Sequence, residues 1–138
     1  MDLSLLDSDI LSEVLKGIHP QVQAAASAYI GEHQRLAFSA VTLYEIIRGL
    51  KFKQATRKLA AFLETVRTSD VLPVSTPVLL HAAELWVEAE SGGHPRSDAD
   101  LLIAATALEA GRVLVTGNTA HFDWIRGLRI QNWRDAPP

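Results

Sequence analysis

The sequence predicts an α/β domain with a mostly parallel sheet of four to five strands, covered by helices on both faces. Short apolar segments alternate along the chain with stretches of helical periodicity. Strands that are separated by helices need crossover connections, which give parallel pairing. The 138 residues, 48% of them hydrophobic, are enough for one core. We therefore expect a single domain over residues 1–138.

Each element can be read from a local pattern. The expected strands are the short apolar segments "LSLL" (3–6), "RLAFS" (35–39), "DVLPV" (70–74), "RVLVTGN" (112–118) and "LRIQNW" (128–133). Helical patterns begin after Asp9 and then cover residues 19–33, 39–50, 53–69, 75–91 and 97–111. Ser39 is a predicted N-cap, and Gly92 and Gly111 stand where helices are expected to end.

Composition excludes several kinds of protein. Without cysteine, the chain has neither disulfides nor thiolate metal sites. The net charge of −3 gives no overall attraction to nucleic acid, so RNA binding would need a local patch. The longest apolar stretch, residues 101–108, is far shorter than the ~20 residues that span a bilayer. Because the start has no signal-peptide pattern, we expect a cytoplasmic protein that does not enter membranes.

Polar side chains recur near the ends of predicted strands and on the helices beside them. They are Asp7 and Asp9 after the first strand, Glu45 in the third helix, Asp98 and Asp100 at the start of the last helix, and Thr116 and Asn118 after the fourth strand. Open α/β sheets bind ligands at the carboxyl ends of their strands. Two carboxylates ~4 Å apart repel by roughly 4 kcal/mol at an effective dielectric constant of about 20, and a divalent cation reverses that repulsion. Oxygen ligands without cysteine favour Mg²⁺ or Mn²⁺.

Each of these residues also has a purely structural interpretation. Asp7 can cap the helix that it precedes, and "SDAD" (97–100) can form a capping box. Glu45 can pair with Arg48 one turn later, although the neighbours of Glu45 are apolar. Asn118 is of a type common in turns. Only the order and placement of the whole set favour a shared metal site.

Several motifs together resemble PIN-domain ribonucleases, and among them the toxins of VapBC-type toxin–antitoxin pairs. "LLDSDILSEVL" (5–15) is similar to the opening of that family, where Asp-x-Asp or Asp-x-Asn ends the first strand. "SAVTLYEIIRGL" (39–50) is similar to its second acidic element, a helix with a glutamate before Arg-Gly. "DLLIAATALEAGRVLVTGNTAHF" (100–122) is similar to the third and fourth elements, and "GLRIQNW" (127–133) also fits.

Carried over by position, the resemblance implies an acidic triad of Asp7, Glu45 and Asp100, with Asn118 in the fourth position. Many relatives have an aspartate at or near that last position, so the asparagine departs from the family pattern. Asp100 is preferred to Asp98 because it directly precedes Leu-Leu-Ile-Ala-Ala. The secondary polar candidates are Asp9, Asp98 and Thr116.

The resemblance further implies a PIN-like three-layer α/β/α sandwich and a Mg²⁺- or Mn²⁺-dependent endoribonuclease. Asp7 and Asp100 would hold the ion, and Glu45 would bind it or orient a water molecule. The expected partners are an RNA substrate, a VapB-like antitoxin and a second copy of the chain, with a larger toxin–antitoxin complex built from them.

The segment "RGLKFKQATRK" (48–58) is the main candidate for holding RNA phosphates. It supplies five cations and no acid, namely Arg48, Lys51, Lys53, Arg57 and Lys58. The same pattern is typical of a solvated helix face, so both interpretations stand. His94 and Arg96, just before Asp100, are further candidates for contacts with the RNA backbone.

Two other functions fit parts of the sequence. "LSLLDSDIL" (3–11) has the strand-Asp-x-Asp form of haloacid-dehalogenase-type phosphatases, in which Asp7 would attack phosphorus and Asp9 would act as acid–base. That family also needs a later lysine, and no lysine follows Lys58. The second alternative is a non-catalytic RNA- or protein-binding module on the same fold, because Asn118 departs from the acidic pattern.

Overall fold

The computed structural model describes residues 1–135 as an alternation of short parallel strands and α-helices. The strands are β1 (Ser4–Leu6), β2 (Ala37–Ser39), β3 (Asp70–Leu72), β4 (Val113–Val115) and β5 (Ile130–Gln131). The helices are α1 (Ser8–Lys16), α2 (Pro20–His33), α3 (Ala40–Phe52), α4 (Thr56–Arg67), α5 (Thr76–Ser91) and α6 (Asp98–Ala110). A short 3₁₀ helix (Thr119–His121) follows β4. Each predicted strand and helix is confirmed.

The strands pair in parallel, as the crossover argument predicted. Hydrogen bonds join β1 to β4 and β4 to β5, and a second ladder joins β2 to β3. Leu5 is opposite Leu114, and Phe38 is opposite Val71. Because β1 also lies against β2, the strands follow the spatial order β3-β2-β1-β4-β5. β1 is therefore central, and its carboxyl end is flanked by strands on both sides.

Alternate residues of the central strands point into two separate cores, which confirms the three-layer sandwich. Leu5 and Leu114 pack with α5 and α6 on one face of the sheet. Leu6 and Val115 pack with the helices α1 to α4 on the other face. Successive side chains of a strand project to opposite faces, so a strand that is apolar at every position is buried on both sides. The apolar runs of β1 and β4 therefore hold the site-bearing strands rigidly.

Local chemistry sets the ends of the elements. Ser39 caps α3, since its hydroxyl accepts hydrogen bonds from the backbone of Val41 and Thr42. Gly111 ends α6 in the left-handed conformation at φ 64°, which glycine adopts without strain. β3 ends at Leu72, two residues before the predicted boundary, because the next residue is proline and has no N–H to donate. No helix within residues 1–135 is long and apolar enough to cross a membrane.

A hydrogen bond between the first residue of β1 and a tyrosine of α2 fixes the start of the strand. The buried Tyr29 hydroxyl on α2 accepts a hydrogen bond from the backbone N–H of Ser4 at 3.0 Å. Tyr29→Phe leaves that buried N–H without a partner, so we expect the free energy of unfolding in urea to fall by about 1–3 kcal/mol. Tyr44→Phe, which removes an exposed hydroxyl, is the matched control and should change it little. Equal stability of the two variants would contradict this assignment.

Candidate active site

Asp7 lies at the carboxyl end of β1, where the strand hands over to α1, and only 5% of it is exposed. Its Oδ1 accepts a hydrogen bond from the backbone N–H of Ser8 at 2.7 Å. Its Oδ2 accepts one from the Thr116 hydroxyl at 2.9 Å. Thr116 directly follows β4, and the Asp7 N–H donates to the Val115 carbonyl at 2.8 Å. The ends of the two strands that the sequence pattern singled out therefore lie side by side.

The charge around Asp7 is unbalanced. The pKa of the Asp7 carboxyl is raised from 3.8 to about 6, chiefly because burial removes the carboxylate from water. The negative charge of Asp9 raises this pKa further, and that of Asp100 adds a smaller increment. The hydrogen bonds from Thr116 and Ser8 stabilise the charged form and lower the pKa, but they do not cancel the shift. A cation bound here would relieve the same repulsion.

Glu45 approaches Asp7 through a shared neighbour. The Ser8 hydroxyl donates to Glu45 Oε1 at 2.7 Å, while the backbone N–H of the same serine bonds to Asp7. Ser8 Oγ also lies 3.2 Å from the hydroxyl of the fully buried Thr42. The ion pair of Glu45 with Arg48 that the sequence suggested is present but long, at 3.9 Å. Serine thus bridges two acids that are 38 positions apart in the chain.

Asp100 is the acid of the "SDAD" segment that faces this site. Ser97 caps α6 through a hydrogen bond from the Asp100 N–H at 3.1 Å, so the predicted cap is present. The Asp100 side chain is nevertheless free to turn inward, where its Oδ2 lies 3.2 Å from His121 Nδ1. Its charge contributes to the raised pKa of Asp7. Asp98 lies exposed at the first position of the same helix.

Asp9 and Asn118 sit together at the edge of the site. Asp9 Oδ2 accepts a hydrogen bond from the Gly117 N–H at 2.9 Å and lies 3.5 Å from the Asn118 amide nitrogen. The same oxygen is 3.6 Å from the guanidinium of Arg134, which also reaches Glu13. A side chain at Gly117 would collide with Arg134 and lie 2.7 Å from Asp9. Asn118 therefore contacts Asp9, and its backbone N–H bonds to Thr116 at 3.0 Å.

The acid cluster, defined as Asp7, Asp9, Glu45 and Asp100, suits a hard cation that keeps part of its water shell. Its donors are all carboxylate oxygens, the ligands that Mg²⁺ and Mn²⁺ prefer. No three Asp, Glu or His side chains within the described part of the chain stand at the spacing of a complete metal site. Mg²⁺ commonly binds through one or two carboxylates and retains several waters. The acid cluster can therefore accommodate Mg²⁺ without its side chains moving closer together.

The basic candidates are divided between different surfaces. Arg48 lies beside Glu45, within reach of the acid cluster. Lys53 and Lys58 instead line a groove of about 1070 Å³ between α1, α2, α3 and α4. Lys51 and Arg57 are exposed near the junction of α3 and α4. In the connection between α5 and α6, the His94 ring packs edge-on against Trp124, and Arg96 Nε is buried without a hydrogen-bond partner among residues 1–135.

Ser8, His121 and Arg134 also contact the acids of the site, although the sequence gives no sign of it. Ser8 lies inside the Asp-x-Asp motif, but nothing in the sequence shows that its hydroxyl reaches a distant helix. His121 stands in the quoted motif after Asn118, and its contact with Asp100 depends on how the 3₁₀ helix folds back. Arg134 follows the last strand by three residues, and only the tertiary fold brings it to Asp9.

Comparison with known proteins gives the class of this domain. A protein-family profile described as "PIN domain" matches residues 4–127. Among solved structures, the crystal structure of DNA-bound VapBC from Salmonella typhimurium contains a chain that superposes with a TM-score of 0.85 at 28% identity, covering 96% of this chain and 99% of that one. The structure of VapBC-1 from nontypeable Haemophilus influenzae gives a TM-score of 0.79 at 26% identity. It covers 96% of this chain and 99% of the other.

Curated relatives narrow the class. The tRNA(fMet)-specific endonuclease VapC of Shigella flexneri is 30% identical over 130 residues, covering 94% of this chain and 96% of the relative. Ribonuclease VapC1 of Haemophilus influenzae strain R2866 is 29% identical with the same two coverages, 94% and 96%. The chain therefore belongs to the PIN-domain family and, within it, to the VapC ribonucleases. Enzymes with this domain generally depend on a divalent metal ion.

The family also decides between the functions weighed from the sequence. A PIN domain is not a haloacid-dehalogenase-type phosphatase, so the resemblance of residues 3–11 to that motif was misleading. The shared feature is an aspartate pair at the end of a buried strand, which here lies at the carboxyl edge of a parallel sheet. The relatives are named as ribonucleases and endonucleases, which favours an enzyme over a non-catalytic binding module.

The raised pKa of Asp7 makes stability depend on pH in a specific direction. Between about pH 4 and 6 the folded protein binds more protons than the unfolded chain, since the folded pKa of about 6 lies above the ordinary 3.8. Metal-free wild type should therefore lose about 3 kcal/mol of stability as the pH rises through that window. Asp7→Asn should lack this loss, as measured by urea unfolding from pH 3.5 to 7.5 in EDTA.

The matched control for this pH series is Asp123→Asn, which neutralises an exposed aspartate. We expect its stability profile to parallel that of wild type. The informative quantity is how the difference in free energy of unfolding between variant and wild type changes with pH. A difference that is the same at every pH would report only the altered hydrogen bonds to Ser8 and Thr116. A difference between Asp7→Asn and wild type that does not change between pH 4 and 7 would contradict the raised pKa.

Proposed function

We propose that this VapC ribonuclease cleaves RNA phosphodiester bonds with a divalent cation, Mg²⁺ or Mn²⁺, held by Asp7, Asp100 and Glu45. The observation that carries the proposal is the unbalanced charge of the acid cluster, in which a buried carboxyl has its pKa raised to about 6 by burial and neighbouring acids. Such a group of like charges is costly in a purely structural site, whereas a bound divalent cation would relieve the repulsion.

Within this proposal the side chains have distinct tasks. Asp7 and Asp100 come from different layers of the sandwich and would bind the cation directly or through water. Glu45 would bind the cation through a water molecule that it orients, because one of its oxygens is already fixed by the Ser8 hydroxyl at 2.7 Å. A bound divalent cation supplies charge neutralisation at the phosphate and lowers the pKa of the attacking water.

Other residues would support these tasks. Thr116 fixes one oxygen of Asp7, and Ser8 fixes the other, which leaves the carboxylate a single orientation. Arg134 balances part of the charge of Asp9, which we assign to positioning the end of β4 through Gly117. Asn118 would keep this loop closed through its contacts with Asp9 and Thr116. In this proposal Asn118 would position the loop and would not serve as a fourth charged ligand.

Substrate RNA would be held by cations that flank the acid cluster. Arg48 is in the best position, beside Glu45. Lys51 and Arg57, near the junction of α3 and α4, and Lys53 and Lys58, on the separate groove, would contact more distant parts of the strand, and Arg96 lies before α6. Backbone phosphates attract such cations without regard to sequence. The attraction of these cations for phosphates would offset the repulsion between the acid cluster and the polyanionic substrate.

We also propose that the chain acts as the toxin of a type II pair in the cytoplasm, where a VapB-like antitoxin would bind it. The similar structures include VapBC complexes from Salmonella typhimurium and nontypeable Haemophilus influenzae, the former bound to DNA. An antitoxin cation placed at the acid cluster would relieve the same repulsion as a metal ion.

Exposed apolar side chains of α5, among them Leu80 and Val87, are candidates for the homodimer contact.

The direct test is cleavage by neutral variants of the acids. Asp7→Asn and Asp100→Asn should each lower Mg²⁺-dependent cleavage by at least about 100-fold, because each removes a charge needed to hold the cation. Substrates would be total RNA and initiator tRNA, the latter because the Shigella flexneri relative is named tRNA(fMet)-specific. Cut ends would be mapped by primer extension, with and without EDTA.

Asp123→Asn serves as the control, since it changes the net charge equally at an exposed position. It should cleave at the wild-type rate. Circular dichroism would establish that all three variants are folded. Wild-type cleavage that continues in excess EDTA, or full activity of Asp7→Asn, would contradict the proposal.

A further inference from the structure

A shallow pocket of about 350 Å³ adjoins the acid cluster, and apart from Glu45 and Arg48 its residues have no part in the mechanism above. It lies between α3, the residues after β3, and the first turns of α6. Its walls are mostly apolar, and its polar members all belong to α3. The residues used below are Val41, Tyr44, Glu45, Arg48, Val74 and Leu102. We call it the Tyr44 pocket.

An aromatic ring and a guanidinium form one wall of the Tyr44 pocket. Tyr44 is 55% exposed, although it stands in the middle of a helix that is otherwise anchored in the core. The guanidinium carbon of Arg48 lies 4.9 Å from the centre of the Tyr44 ring, within cation–π range. Arg48 also reaches Glu45 at 3.9 Å. The tyrosine and its arginine are therefore held beside the acid cluster by a member of that cluster.

These features suit a flat, uncharged, aromatic ligand with a phosphate nearby. Proteins that bind single-stranded RNA stack unpaired bases on exposed aromatic rings and on arginine planes. Val74 and Leu102 provide apolar contact for the edge of such a base, while Arg48 can meet the attached phosphate. The volume lies at the small end of ligand pockets, which is adequate for one base and too small for a peptide helix.

Continuity with the acid cluster selects RNA as the occupant. Glu45 lines the Tyr44 pocket and also accepts a hydrogen bond from the Ser8 hydroxyl. The backbone N–H of the same serine donates to Asp7, so the pocket and the acid cluster are adjacent. An RNA strand with one phosphodiester at the acid cluster would therefore have its neighbouring nucleotide beside Tyr44. A second copy of the chain that covered this pocket would have to remove the charges of Arg48 and Glu45 from water, which is costly.

We propose that Tyr44, assisted by Arg48, stacks on the unpaired base next to the scissile phosphate and thereby positions the substrate. This inference rests on the proposed ribonuclease function and adds a specificity-determining site to it. Stacking of this kind acts in the ground-state complex, so its loss should raise KM more than it lowers kcat.

The test combines protein variants with substrates that lack single bases. Once the cut site is mapped, a short RNA is made with one abasic ribonucleotide at each position around the cut. For wild type, one neighbouring abasic position should lower kcat/KM by about 10- to 100-fold. Tyr44→Ala should lose a similar factor on intact RNA and show no further loss at that position. This non-additivity is the signature of a base contact, and a merely structural role of Tyr44 would not produce it.

Two controls separate the ring from its surroundings. Tyr44→Phe keeps the aromatic face and should retain the wild-type abasic profile. Phe52→Ala removes another exposed aromatic side chain of α3, 91% exposed and outside the Tyr44 pocket, and should also cleave like wild type. Sedimentation velocity of each variant reports the oligomeric state.

The outcomes are distinguishable. If Tyr44→Ala keeps the wild-type abasic profile while Asp7→Asn remains inactive, the base site is wrong and the ribonuclease proposal stands. If Tyr44→Ala changes the sedimentation coefficient and leaves the abasic profile unchanged, the pocket is an interface between copies, which also overturns the inference. If wild type cleaves no RNA with Mg²⁺, the proposed function fails and this inference fails with it.

Discussion

The burial of a carboxylate beside other carboxylates at the end of β1 is the constraint around which the site is built. Asp7 is almost fully buried and faces the negative charges of Asp9 and Asp100. Hydrogen bonds from Ser8 and Thr116 hold its two oxygens but do not restore an ordinary pKa. The remaining deficit of positive charge is what a divalent cation would fill, and it is also what an antitoxin cation would recognise.

The fold can hold these carboxylates together because the site stands on strands that are buried on both faces. β1 and β4 send alternate side chains into two hydrophobic cores, so neither strand can shift without disrupting both. Parallel pairing then places the residues after both strands at one edge of the sheet. Helix α6 brings Asp100 to this edge from one layer, and α3 brings Glu45 from the other. The energy of core packing thus offsets the cost of assembling like charges.

Most of the fold and the acidic positions could be predicted from the sequence, since both depend on local patterns. Apolar runs marked β1 and β4, and Ser39 and Gly111 marked helix ends as expected. Asp7 was identifiable because a carboxylate directly after a buried strand must face the sheet edge. The preference for Asp100 over Asp98 came from a motif, and in the structure only Asp100 contributes to the raised pKa of Asp7.

What could not be predicted depends on contacts between distant segments. Ser8 joins Asp7 to Glu45 through two different atoms, and Arg134 reaches Asp9 from beyond the last strand. Neither contact has a local signal, because both arise from the packing of α1 against α3 and of the chain end against β4. The sequence of residues 48–58 suggests one basic surface, whereas the turn between α3 and α4 divides these cations between different surfaces.

The protonation of Asp7 can be followed by NMR through the chemical shift of its carboxyl carbon, with and without Mg²⁺. In metal-free protein the midpoint should lie near pH 6, well above the ordinary value of 3.8. Saturating Mg²⁺ should move that midpoint downward by more than one pH unit, because the cation favours the charged form. An ordinary midpoint without metal, or a raised midpoint that Mg²⁺ leaves unchanged, would show that the acid cluster does not carry the unbalanced charge of a cation site.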